Sequence, residues 1–211
     1  MHTQSGRSFF NSAVMKKTLA AILFALILFT GFHHPATNAI VADRFLPQGG
    51  AKMKVTINKQ YSMMIPEYLT RDTTLNDEAS LQYSNYSKEM YIVVIDESKK
   101  DFKDVFLALE DYDTTKTVLQ NYTRAQMESI RANMQAITKE SPLRYLRTGS
   151  GKAHVHDVPG TQEGVDGELG FTIGFVEGKE TLYMIMMWTF QKDKTLYQED
   201  MDAMITSFRE L

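Results

Sequence analysis

His154, Val155, His156 and Asp157 are the stretch of this 211-residue sequence whose types and spacing most suggest chemistry. On a strand, residues two apart project to one side, about 6.5 to 7 Å apart along the chain. His154 and His156 would then share a face and Asp157 would take the other. Two imidazoles so placed can hold zinc or copper, but such a site needs further protein ligands or open positions for water. Glu163, Asp166 and Glu168 are the nearby acids, and none stands at a diagnostic spacing. Once an N-terminal signal of 39 residues is removed, these two are the only histidines, so no third imidazole can come from within the chain. The expected reading is a strand whose wet face shows two polar residues. The alternative is a metal-binding protein using His154 and His156; no other cofactor is expected.

Other residue patterns carry less. Met184, Met186 and Met187 crowd one segment and Met63 and Met64 another; thioethers suit copper(I), yet methionine among Tyr183, Ile185, Trp188 and Phe190 is the usual filler of a buried strand. Ser150 lies in GSG, which reads as a turn and not as the strand-to-helix elbow of a serine nucleophile. Glu163 with Glu168, and Asp200 with Asp202, could do acid and base work, but acids in loops and on helix surfaces are normally solvated. GKETLY lacks the glycine spacing of a phosphate loop. The triplets at Asn85 and Asn121 match a glycosylation acceptor, a pattern common by chance.

The N-terminus gives an address. Lys16 and Lys17 precede an uncharged run over residues 19–32, which suits a signal h-region and is shorter than the ~18 to 20 residues of a membrane span. Small residues follow in PATNA, which places the expected cleavage after Ala39. MKKTLAAILF reads as the natural beginning of a bacterial export signal, so Met15 is the expected true start. Removing residues 1–39 takes away Arg7, Lys16 and Lys17 but no acid, leaving 20 basic against 26 acidic residues and a net charge of −6. Such a balance offers nothing to hold nucleic acid or an anionic lipid surface. Cysteine is absent, which excludes disulfides, thiolate zinc sites, cysteine nucleophiles and lipoprotein attachment. The mature chain is expected to be periplasmic or extracellular, with no stable membrane insertion.

The elements that must position these residues follow from periodicity. Residues 40–52 read as a flexible lead-in, and residues 53–211 as one domain of a size that supports its own core. MKVTINKQYSMMIP reads as two extended pieces about Asn58 and Lys59; residues 67–77 read as irregular or one short helical turn. ASLQYSNYSKEMYIVVIDESKKDF reads as a hairpin with a turn near Ser87 and Lys88. Its second strand, residues 89–96, and TLYMIMMWTF are apolar without alternation, the mark of strands covered on both faces. A helix is expected from Val118 through Ile137, ending ahead of Ser141 and Pro142. KAHVHDV and ELGFTIGFV read as further strands. Tyr197, Met201, Met204, Ile205 and Phe208 form the apolar stripe of a closing helix, which must lie on the sheet. The expected architecture is α+β, an α/β/α sandwich with a mainly antiparallel sheet covered by helices on both faces.

The succession YSMMIPEYL, ASLQYSNYSKEMYIVV, a long helix, FTIGFVEGKETLYMIMMWTF and ITSFREL resembles the PsbP-like family over residues 53–211. That family includes the photosystem II extrinsic subunit P, and its fold is shared by a Ran-binding nuclear import factor and by secreted bacterial proteins. The resemblance implies a sandwich used for binding or assembly, with no shared active site and no residue to carry over. The leading functional reading is therefore an exported, non-catalytic binding or assembly module, not an enzyme. Its partner would be another envelope or secreted protein, met through the loops at residues 66–78 or 157–167. The alternatives are a small hydrolase with an unrecognised site, or the metal protein above.

Overall fold

The computed structural model describes residues 50–211. The expected signal, its cut site and residues 40–49 lie outside the described residues. The two apolar segments without alternation become β5 (Met90–Ser98) and β10 (Thr181–Phe190), which pair antiparallel from Thr181↔Ser98 to Trp188↔Tyr91. They sit inside an eight-stranded sheet. Its order is β3 (Thr70–Arg71), β4 (Leu81–Asn85), β5, β10, β9 (Leu169–Glu177), β8 (Gly151–Thr161) and β6 (Ala136–Ile137), with β7 (Arg144–Thr148) also on β8. A smaller sheet orders β1 (Lys52–Ile57), β2 (Tyr61–Pro66) and β11 (Arg209–Glu210).

Alternate residues of the central strands feed two cores, because a strand's side chains point by turns to opposite faces. Tyr91, Val93, Met184, Met186 and Trp188 pack on one face against α1 (Lys99–Ala108) and α2 (Val118–Asn133). Ile92, Val94, Ile185 and Met187 pack on the other against α3 (Lys194–Ser207) and β2 of the smaller sheet. The fold is thus α+β, with a mainly antiparallel sheet covered on both faces. Among the described residues no helix is long and apolar enough to cross a membrane.

The helices follow from local signals, one of which the periodicity reading passed over. Ser98 caps α1 by accepting from Asp101 N–H, and Phe102 and Phe106, one turn apart, are buried beneath it. Thr117 and Gln120 form a reciprocal capping box at the start of α2. The expected helix to Ile137 stops at Asn133, because the chain turns extended at Met134 and runs along β8. Gln135, Thr138 and Ser141 N–H donate to the carbonyls of Thr161, Pro159 and Asp157. Gly160 permits this, since a Cβ there would lie 2.4 Å from Ala136 O. Gly174 does the same for α3: a Cβ would stand 3.0 Å from Ile205 Cδ1.

Candidate functional site

His154 and His156 do share one face of β8, and Asp157 takes the other, as the alternation requires. The expected wet face is corrected, since each histidine is only 9% exposed. Helix α2 and the extended segment after it lie over them. His154 Nδ1 is 3.0 Å from Thr123 Oγ1, and His156 Nδ1 is 3.0 Å from Glu140 Oε1, itself held by Arg131. Burial, then the neighbouring His156 and Lys152, pushes the His154 pKa down and keeps the ring neutral. His156 Nε2 is buried without a hydrogen-bond partner. Among the described residues, no group of three or more His, Cys, Asp or Glu is placed to hold a metal ion.

Asp157 instead joins a charged clamp on the opposite face. Its Oδ1 accepts from Lys194 Nζ at 3.0 Å and Thr172 Oγ1 at 2.7 Å; its Oδ2 accepts from Arg144 Nε at 2.8 Å. Arg144 also reaches both oxygens of Asp202 at 3.0 Å. Lys194 further donates to Gln198 Oε1 at 2.7 Å. Burial lowers the Lys194 pKa, and the Asp157 charge opposes it. Every charge in the group is spent on another, so the group fixes α3 to β7, β8 and β9.

Several other sequence candidates are packed or bonded within the fold. Met184 and Met186 lie in one core and Met63 and Met187 in the other. Ser150 occupies the turn between β7 and β8, where its Oγ accepts from Glu210 N–H at 2.6 Å. Asp200 is not solvated as its position on a helix suggested: it is buried and accepts from Tyr68 OH at 2.9 Å. Asn121 is buried, its amide bonded to Asp113 and Thr117. Of the two loops singled out, the second is shortened, because β8 extends to Thr161 and leaves only residues 162–168 between it and β9.

The first loop walls a cleft. Between β1 and the residues from Arg71 to Tyr83 lies a cleft of about 390 Å³. Val55 and Ile57 line it from one side, Ala79 and Leu81 from the other, with Asn58 and Arg71 also on its lining. Asn58 and Lys59 turn the β1–β2 hairpin at positive φ, 49° and 58°.

The loop wall is held by its own side chains. Asp72 Oδ1 accepts from the N–H groups of Thr73 and Thr74 at 2.7 and 2.9 Å, and Oδ2 from Ser84 Oγ at 2.7 Å and Tyr86 OH at 2.8 Å. Burial opposes ionisation of Asp72, but the bonds from Ser84, Tyr86 and Thr74 outweigh it and lower the pKa to about 2. Gln82 Oε1 accepts from Leu75 and Asn76 N–H, both at 2.9 Å, and its Nε2 donates to Asn76 O at 2.7 Å. Ser80 Oγ lies 2.8 Å from Tyr61 OH, whose pKa burial raises well above the ordinary value. The lining contains no histidine, and its one carboxylate is saturated. This cleft offers contacts and hydrogen bonds, not proton transfer.

No protein-family model matches the chain, and no curated protein matches it in sequence. Among solved structures it is similar to the Ran-binding protein Mog1p of Saccharomyces cerevisiae, at 11% identity over 76% of this chain and 95% of that one, TM-score 0.48. It is also similar to the cyanobacterial PsbP of Synechocystis, at 10% identity over 86% and 100%, TM-score 0.48. A third is LpqN of Mycobacterium tuberculosis, involved in cell envelope biogenesis, at 10% identity over 78% and 88%, TM-score 0.45. The fold is similar to that of PsbP and Mog1p. Arg71, Thr73 and Gln82 were not singled out from sequence as site residues. The RDTT run signalled only a turn, and its facing of β1 arises from tertiary packing.

Proposed function

We propose that the chain is an exported, non-catalytic binding module that engages a partner protein of the cell envelope or the surroundings through the cleft beside β1. The observation that carries this reading is the loop wall from Asp72 to Gln82, ordered by its own hydrogen bonds before any ligand arrives. A wall ordered in advance lowers the entropy cost of binding, and loops on a rigid scaffold are where recognition concentrates. The signal-like N-terminus supports export, and the saturated state of Asp72 speaks against general acid or base work there.

A photo-crosslinking residue placed at Thr73 in the full chain, expressed in its host, tests the reading. Adducts of defined mass are expected from Thr73, which is exposed. None is expected from the same residue placed at Leu196 on α3, also exposed. No adduct from Thr73, with hydrolysis of a small ester or phosphate by the purified chain, would reverse the order of readings.

A further inference from the structure

We infer that the cleft's partner presents an extended acidic segment, which adds to β1 as an outer strand. The inference rests on the binding reading above and names its mode and chemistry. β1 is the outer strand of the three-stranded sheet. Its register with β2 runs from Lys52↔Pro66 to Ile57↔Tyr61, and just before it Glu67 N–H donates to Ala51 O. Antiparallel ladders exchange hydrogen bonds at every second pair. Residues 51, 53 and 55 are therefore bonded to β2, and the amides and carbonyls of Lys54 and Thr56 face away from it. A row of outward backbone groups beside a cleft is a template for strand addition.

Charge selects the occupant. Lys54 and Thr56 are exposed on β1, while Val55 and Ile57 turn toward the core and the cleft. Across the cleft Arg71 is exposed. Among the described residues, neither Lys54 nor Arg71 pairs with a carboxylate, whereas Asp72, next to Arg71, is fully engaged within its own loop. An added strand would alternate, one set of side chains over the cleft and the other beside Lys54. Carboxylates on that strand meet cations on both sides. A lysine on an outer strand discourages pairing with a neutral or basic strand and so selects for an acidic one. It also disfavours a second copy of this chain, because symmetric pairing of two β1 strands brings like charges together.

The probe is a blocked hexapeptide alternating valine and glutamate, added to the full chain and read by amide hydrogen exchange and by titration. Exchange at Lys54 and Thr56 is expected to be fast in the free chain and to slow by about tenfold or more with saturating peptide. The valine–lysine counterpart should leave it unchanged. The double change Lys54→Glu with Arg71→Glu should exchange the preference between the two peptides while leaving the folding midpoint in place. N-methylation of the acidic peptide at alternate residues keeps its charge, removes its donors, and should abolish the protection. Slow exchange of Lys54 and Thr56 in the free chain would overturn the inference, because the edge would already be covered. Dependence on protein concentration would then mark a second copy, and independence the chain's own N-terminal residues. If crosslinks form at Thr73 but the acidic peptide gives no protection, strand addition fails while the binding reading stands; if neither occurs, both fall.

Discussion

Glu97 is the residue whose placement beneath α2, half-buried at the margin of the core, has the clearest solution consequence. It stands on the α2 face of β5, where its Oε1 accepts from Tyr122 OH at 3.1 Å and Gln126 Nε2 at 2.8 Å. Burial raises its pKa to about 7 from 4.5, against the lowering effect of those two bonds. The folded chain therefore holds this proton more tightly than the unfolded chain does. The stability contribution is complete below about pH 4.5 and is lost as pH rises to about 7, by on the order of 3 kcal/mol at most. Urea unfolding at a series of pH values should show that decline in the wild type. Glu97→Gln keeps the accepting oxygen and should flatten the profile over the same window; an unchanged profile would mean that another group titrates there. The histidine pair is tested at this scale as well. With both rings buried and, among the described residues, no third His, Cys, Asp or Glu placed to join them on a metal ion, micromolar zinc should give no heat on titration into the full chain. A tight isotherm lost in His154→Ala would reinstate the metal reading.

Among the elements, those legible in the sequence were those whose pattern is a property of their own residues. β5 and β10 announce double burial by unbroken apolar runs, and α3 shows its stripe at Tyr197, Met201, Met204 and Ile205. Helix α1 was missed although Ser98 and the pair Phe102 and Phe106 mark it, because its start falls within the hairpin stretch and its mostly charged residues leave no continuous apolar stripe. The early end of α2 and the strand β7 could not be read locally, since both depend on what β8 offers them. The cleft was half legible. Residues 66–78 stood out as a loop, but its opposite wall comes from pairing that no local pattern encodes. Two substitutions test these positions. Thr117→Ala removes the capping box of α2 and should cost about 1 kcal/mol in chemical unfolding. Gly174→Val places branched carbons where Ile205 already stands at 3.0 Å and should cost roughly 1 to 3 kcal/mol. Little or no loss there would show that α3 does not rest on β9 as closely as described.

At the scale of the whole molecule, both cores are faces of one sheet, and this governs how the chain comes apart. Val93 and Val94, or Met186 and Met187, are chain neighbours that serve opposite cores. Neither core can dissolve without releasing strands that also wall the other. The described region should therefore unfold as a single cooperative unit, with no disulfide to hold a fragment, since cysteine is absent. The sole tryptophan, Trp188, reports the α1 and α2 side, stacked on Tyr91 at 5.2 Å between ring centroids. Met204 lies fully buried in the opposite core. Met204→Ala should cost roughly 2 to 5 kcal/mol through the cavity it leaves. It should lower the tryptophan-fluorescence midpoint in urea as much as the far-ultraviolet circular dichroism midpoint, although the lost side chain never touches the tryptophan's side of the sheet. A fluorescence midpoint that stays in place while the dichroism signal splits into two steps would show two units folding apart, and the shared sheet would not be what joins them.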